Sequence, residues 1–128
     1  MLKQLTSKQV YDIIRVQQEV EKMLNTILLN GGATINNNGK MITLKSGYQI
    51  SKQDVLICDA EALTEQMLLN VLATGLKRGE YCGVWIDEGK AYVDISVRVA
   101  TKREALAMGK QLHQLTVLQW ATMKCLPV

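Results

Sequence analysis

Apolar residues recur at helical spacing through residues 7–29, at Val10, Ile13, Ile14, Val20, Leu24, Ile27 and Leu28. Steps of three and four place them on one side of a helix. Val16, Met23 and Leu29 widen that stripe until it covers more than one packing surface, so a partner subunit is expected there. Thr6 or Ser7 can cap the start, and Asn30-Gly31-Gly32 supplies the stop. The next segment, GGATINNNGKMITLKSGYQIS, is rich in residues that tolerate positive φ at Asn37, Asn38 and Gly39. It predicts short strands at about 33–36, 40–44 and 47–51.

Helical spacing returns at residues 59–77, with Asp59 as the expected N-cap and Leu63, Met67, Val71 and Leu72 as the stripe. Alternation then takes over in EYCGVWIDEGKAYVDISVRV, residues 80–99. With Glu88-Gly89 as a two-residue turn, Trp85 faces Tyr92, Gly83 faces Asp94 and Tyr81 faces Ser96. One side of this hairpin is then wholly apolar, from Cys82 to Val99. The other carries Tyr81, Gly83, Trp85, Tyr92, Asp94, Ser96 and Arg98. Thr101 and Glu104 form a T-x-x-E helix start, with Ala105, Leu106 and Met108 inward, and residues 115–120 read as a last strand. The expectation is one α+β domain over residues 1–128. It has a long first helix, a small antiparallel sheet, and a strand–strand–helix–strand C-terminal half.

At 128 residues with 48% hydrophobic positions, the chain can build a core of its own. Its net charge of +3 is spread without runs, which argues against a nucleic-acid stripe. Three distant cysteines and one histidine form neither a zinc site nor a disulfide framework, so reduced thiols and a cytosolic setting are expected. The N-terminus lacks the apolar stretch of a signal peptide, and no window is apolar enough for a membrane helix.

The polar side of the hairpin has the parts a nucleotide requires. Trp85 and Tyr92 offer a stacking pair, Gly83 leaves a slot opposite Asp94, and Asp94 can accept from ribose hydroxyls or an exocyclic amine. Arg98 offers a fork for phosphate oxygens, and the helix start at 101–103, with Arg103, favours anions. An equally simple reading has this side pressed against a helix or a second subunit, with Asp94 and Arg98 paired to each other. Lys102, Arg103 and Lys110 are then solvated helix positions, His113 is unremarkable, and Gly109 marks either a close backbone contact or a C-cap. No phosphate loop, H-E-x-x-H or nucleophile elbow is present, so binding without turnover, and without a cofactor or metal, is expected. A docking surface for a host protein and a single-stranded nucleic-acid platform stand as the alternatives.

The blocks GGATINNNG, SGYQIS, GVWID…AYVDISVRV and REALAMGKQLHQLTVLQW, spanning about residues 31–120, resemble the Thoeris anti-defence proteins of the first type, found in phages and prophages. That resemblance implies a homodimer, or a hexamer, that soaks up cyclic ADP-ribose-type signals without degrading them in the host bacterial cytoplasm. Some members also hold cyclic oligonucleotides. It implies an aromatic residue against adenine and arginines on phosphates, in a pocket partly shared between subunits. Trp85 matches the aromatic and Asp94 a ribose or base contact. Lys110 stands where an arginine is expected, and Gln119-Trp120 where an aromatic and an acid are. Lys40 and Lys45 are available for a phosphate from a partner subunit.

Overall fold

Helix α1 spans Ser7–Asn30 and begins with a reciprocal cap. The Thr6 hydroxyl accepts from the Gln9 N–H at 3.1 Å, and the Gln9 side chain accepts from the Thr6 N–H at 2.8 Å. Gly31 ends the helix in the left-handed region, donating its N–H to the Ile27 carbonyl. These features come from a computed structural model that describes residue 4, residues 6–73 and residues 75–128.

Among the described residues seven strands follow, all in one curled antiparallel sheet: β1 Gly32–Asn36, β2 Met41–Ile42, β3 Tyr48–Asp59, β4 Glu80–Asp87, β5 Lys90–Val99, β6 Thr116–Gln119 and β7 Lys124–Pro127. Their order across the sheet is β2-β1-β4-β5-β3-β6-β7. Helix α2, Glu65–Ala73, lies between β3 and β4, and α3, Lys102–Gln111, between β5 and β6. The architecture is α+β with the expected strand–strand–helix–strand half, extended by β7.

The β4–β5 register is the expected one: Trp85 pairs with Tyr92, Gly83 with Asp94 and Tyr81 with Ser96. Glu88 and Gly89 both take positive φ, 48° and 76°, as a type I′ turn requires. All three helices pack on the apolar side of this sheet. Near the hairpin turn, Val84, Ala91 and Val93 meet Val20, Met23 and Ile27 of α1 and Leu68 and Val71 of α2. Farther along β5, Val99 joins Tyr48 and Ile50 under Ala105 of α3, with Val117 of β6. Between these two clusters, Glu80 is buried and pairs with Lys52 at 2.7 Å while accepting the Lys77 N–H at 2.8 Å. Both contacts hold the Glu80 carboxyl below its usual range, the Lys52 bond first.

Two expectations need correction. The helix expected over 59–77 is shorter: residues through Asp59 remain in β3, a 3-10 turn covers Ala60–Ala62, and only Glu65–Ala73 is α-helical; residue 74 lies outside the described residues. Asp59 makes no cap bond because its carboxylate is taken by Lys90 across the sheet. The Thr64 hydroxyl accepts from the Met67 N–H in its place. The strand expected over 47–51 is likewise the start of a twelve-residue strand, so the sheet is larger than the small one expected.

Two β-bulges, between Ser51 and Gln53 and between Asp54 and Leu56, explain the difference. Strict alternation would send Lys52 toward the core. The bulges set Lys52 and Val55 out of register and return Leu56 and Cys58 to the apolar side, opposite Val93 and Ala91. Lys52 is thereby freed to reach Glu80.

Candidate functional site

The side of the sheet away from the helices is built by three neighbouring strands, β4, β5 and β3, in rows that follow the pairing. From the turn end, Trp85, Tyr92 and Ile57 form one row, and Gly83, Asp94 and Asp54 the next. Tyr81, Ser96 and Ser51 come third, followed by Arg98 with Gln49. Successive rows are about 7 Å apart, two residues along each strand.

The aromatic row is open. Trp85 is 43% and Ile57 54% exposed, so no helix covers the indole. The second row is a carboxylate pair. A Cβ at Gly83 would lie 2.8 Å from Asp94 Oδ1, so the missing side chain is what lets Asp94 lie flat over β4. Burial, and then the charge of Asp54 directly opposite, push Asp94 up to about 7. The Ser51 hydroxyl and the Gly83 backbone oppose that shift in part. Ser51 Oγ is itself buried without a well-formed hydrogen bond.

The third row runs into a closed network. Ser96 is 2% exposed and accepts from Gln49 Nε2 at 2.7 Å. Gln49 Oε1 accepts from the Trp120 indole N–H at 3.0 Å. Trp120, just past β6, is held by its own N–H to the Gly47 carbonyl at 3.1 Å and is buried. Gln49, Ser96 and Trp120 thus satisfy one another, and apart from the Ser51 hydroxyl beside Asp94 this end of the surface is structural, which leaves ligand chemistry to the first two rows.

Of the expected site residues, Trp85, Tyr92 and Asp94 are brought together. Arg98 is on the same side, but six residues along β5 from Tyr92, about 20 Å. Its Nε donates to the Ser46 carbonyl at 3.1 Å and Nη2 to the Ser46 hydroxyl at 3.2 Å. A Cβ at Gly47 would come within 2.6 Å of this guanidinium. Arg98 thus straps the loop before β3, and no Asp94–Arg98 pair forms. Arg103 and Lys110 are exposed on α3, which packs on the other side of the sheet. Within one chain they do not share a surface with Trp85. Lys40 and Lys45 are exposed, in the β1–β2 turn and the loop before β3.

Asp54, between the two bulges, is the surface member whose phase sequence alternation gets wrong, and Ile57 lies beyond the strand expected from it. An even-spaced reading of QDVLICD cannot assign its faces. Cys82, on the apolar side, is buried and its thiol is pushed up to about 12, first by desolvation and then by Asp94, which leaves it inert. Among the described residues no group of three metal-binding side chains gathers, and no helix is long and apolar enough to cross a membrane.

Chemically, the first two rows offer an aromatic platform bordered by two carboxylates. That combination suits a flat ring bearing N–H or O–H donors and repels a phosphate placed over the carboxylates. Comparison with protein-family models, curated proteins and solved structures returns no match.

Proposed function

We propose that the protein binds a nucleotide signal without turning it over, through its base and ribose, on the open face of β4, β5 and β3. The observation that carries this reading is the adjacency of the exposed Trp85, paired with the half-buried Tyr92, to the Asp94–Gly83 slot, on a face left free by the helices α1, α2 and α3. The ring stacks on Trp85, and hydroxyl or amine donors meet Asp94 and Asp54. Phosphates project away from the carboxylates, and Arg98 is too far along the strand to hold those of a compact ligand. A cyclic ADP-ribose-type molecule, as the family resemblance implies, has the required ring and diols. Sequestration by such a protein lowers the free signal that a bacterial immune effector reads, provided binding is tight; nanomolar affinity corresponds to about −12 kcal/mol.

Titration calorimetry against a panel of cyclic ADP-ribose isomers and cyclic di- and trinucleotides tests the reading. Stoichiometric binding, intact ligand in the heat-denatured supernatant, and loss of binding in Trp85→Ala are expected. Binding by none of the panel defeats it; recovery of cleaved nucleotide turns it into an enzyme. A second reading has support of its own. Residues 52–59 of β3 extend beyond the short β6 pairing at Tyr48 and Gln49, leaving a free edge beside the exposed Val55 and Ile57. That edge, next to Trp85, suits a docked strand of a host protein; a host protein captured by the wild type and lost in Trp85→Ala would favour it.

A further inference from the structure

Between α1 and the start of α2, on the helix-bearing side of the sheet, runs an open groove of about 800 Å³. Leu24, Leu63 and Leu69 line its base, and Ile14, 48% exposed, lies toward one end. The α1 rim carries Gln17, Gln18 and Glu21, and the facing rim Thr64, Glu65 and Gln66, all exposed. Past Leu24 and Leu63 a second trough of about 320 Å³ continues to Leu28, 70% exposed, beside Glu61 and Ile86. No lysine or arginine lines either stretch, although the chain as a whole carries a net charge of +3. Among the described residues Glu21, Glu61 and Glu65 enter no ion pair. Glu61 and Glu65 have a local reason to be acidic, each in the first turn of its helix, whereas Glu21 at mid-helix has none.

We infer that this groove docks a basic amphipathic helix of another protein. An apolar base between two carboxylate-bearing rims asks for the opposite layout in its occupant. That layout is large apolar side chains three and four apart, with lysines or arginines on both flanks. The flanking cations meet Glu21 on one rim and Glu65 on the other, and the glutamine amides serve the remaining polar groups. From Ile14 to Leu28 α1 rises about 21 Å, the length of about four turns of a docked helix. A strand is a worse fit, because both walls are helices whose backbone groups are paired internally and leave its own without partners. So open a groove leaves too much of a small molecule in water to hold it. An anionic lipid surface is repelled by the same carboxylates. The groove side of α1 offers Ile14, Gln17, Gln18, Glu21 and Leu24 and no cation, while Lys8, Arg15 and Lys22 lie off it. A second copy of that helix would therefore add carboxylates to carboxylates. The groove lies across the sheet from Trp85, so the inference does not rest on the ligand reading, and either can fail alone.

Fluorescence anisotropy of a labelled leucine–lysine peptide of about 14 residues, titrated with the full chain, tests it. A leucine–glutamate peptide of the same pattern is the control. The lysine peptide is expected to bind with a Kd of roughly 10 μM and to gain helical circular dichroism, the glutamate peptide to bind roughly tenfold more weakly or less. That order runs against the chain's net charge of +3, which by itself favours the glutamate peptide. Glu21→Lys and Glu65→Lys should each weaken the lysine peptide by roughly fivefold or more, with unchanged circular dichroism of the free chain. Glu104→Lys makes the same change of charge on α3, and Trp85→Ala alters the opposite face; both should leave binding unchanged. Failure to bind the lysine peptide overturns the proposal, including the case in which a second copy already covers the groove. So do equal affinities for the two peptides, or a loss in Glu104→Lys as large as that in Glu21→Lys.

Discussion

Asp94 is the residue whose environment is most unusual for its type. An exposed aspartate titrates near 4, but burial beside Asp54 raises this one to about 7 in the folded chain. Between those two values the folded protein holds a proton that the unfolded chain has lost. Stability therefore falls as pH rises through that window, by at most about 1.4 kcal/mol per unit, and levels off above pH 7. Asp94→Asn removes the titration while keeping the side chain's shape over Gly83. Urea unfolding at pH 5 and pH 8 should show the variant gaining on the wild type by about 2 kcal/mol between the two conditions. An unchanged gap between them would mean that Asp94 stays ionised throughout. Hydroxyl and amine donors are accepted best by the charged form, so nucleotide binding should strengthen over the same window in which stability declines.

The two sides of the β4–β5 hairpin make opposite demands on substitution, and this was readable from the chain. Period-two alternation around Glu88-Gly89 fixed the register, because a slip by one would expose Val84 and Val93 and bury Asp94 and Trp85. Val93→Asp places an unpaired charge among α1 and α2 side chains and should cost about 4 kcal/mol or more. Trp85→Ala, on the open side, should cost only about 1–2 kcal/mol and leave the melting transition cooperative. Comparable losses in thermal melts of the two variants would mean the faces are not distinguished as described.

The starts of α1 and α3 were legible for the same local reason, whereas that of α2 was not. The Thr101 hydroxyl accepts from the Glu104 N–H at 3.2 Å, so Thr101→Ala should lower stability by about 1 kcal/mol in the same assay. The box there is only half of the usual kind, since the Thr101 hydroxyl also donates to the Glu104 carboxylate. Gly109 is explained by contact: a Cβ there would lie 2.8 Å from Val128 and 3.3 Å from Val117. What alternation could not supply was β3 beyond residue 51. Its two bulges interrupt the period, and Asp59, a good cap by type, is committed to Lys90 by a strand distant in sequence. Strand β7 gave no signal either: of its four residues only Leu126 is even half-buried, so no alternation of burial marks it.

Across the whole molecule, one sheet carries two unequal apolar clusters on its helix-bearing side. The larger gathers eleven buried residues from α1, α2, the β1, β4 and β5 strands and Leu63, whereas the smaller has only Ile50, Ala105 and Val117 at its centre. The Lys52–Glu80 pair sits between them, so apolar contact does not run unbroken from one to the other. A cooperative unit is as strong as the burial that locks it, and the smaller cluster locks α3, β6 and β7. These three elements should therefore open together at lower free energy than β1, β4 and β5. In native-state hydrogen exchange their amides should exchange faster at low denaturant and converge with the rest only near global unfolding. Val117→Ala removes contacts from the smaller cluster alone, so it should accelerate exchange in α3, β6 and β7 while leaving local protection in β4 unchanged. Trp120 belongs to this unit by sequence but reaches the opposite side of the sheet through Gln49 and Ser96. Its indole bond to Gln49 should break in the same opening, which makes tryptophan fluorescence in a Trp85→Phe background a second readout. Uniform protection across all seven strands would show instead that the ion pair couples the two clusters into one.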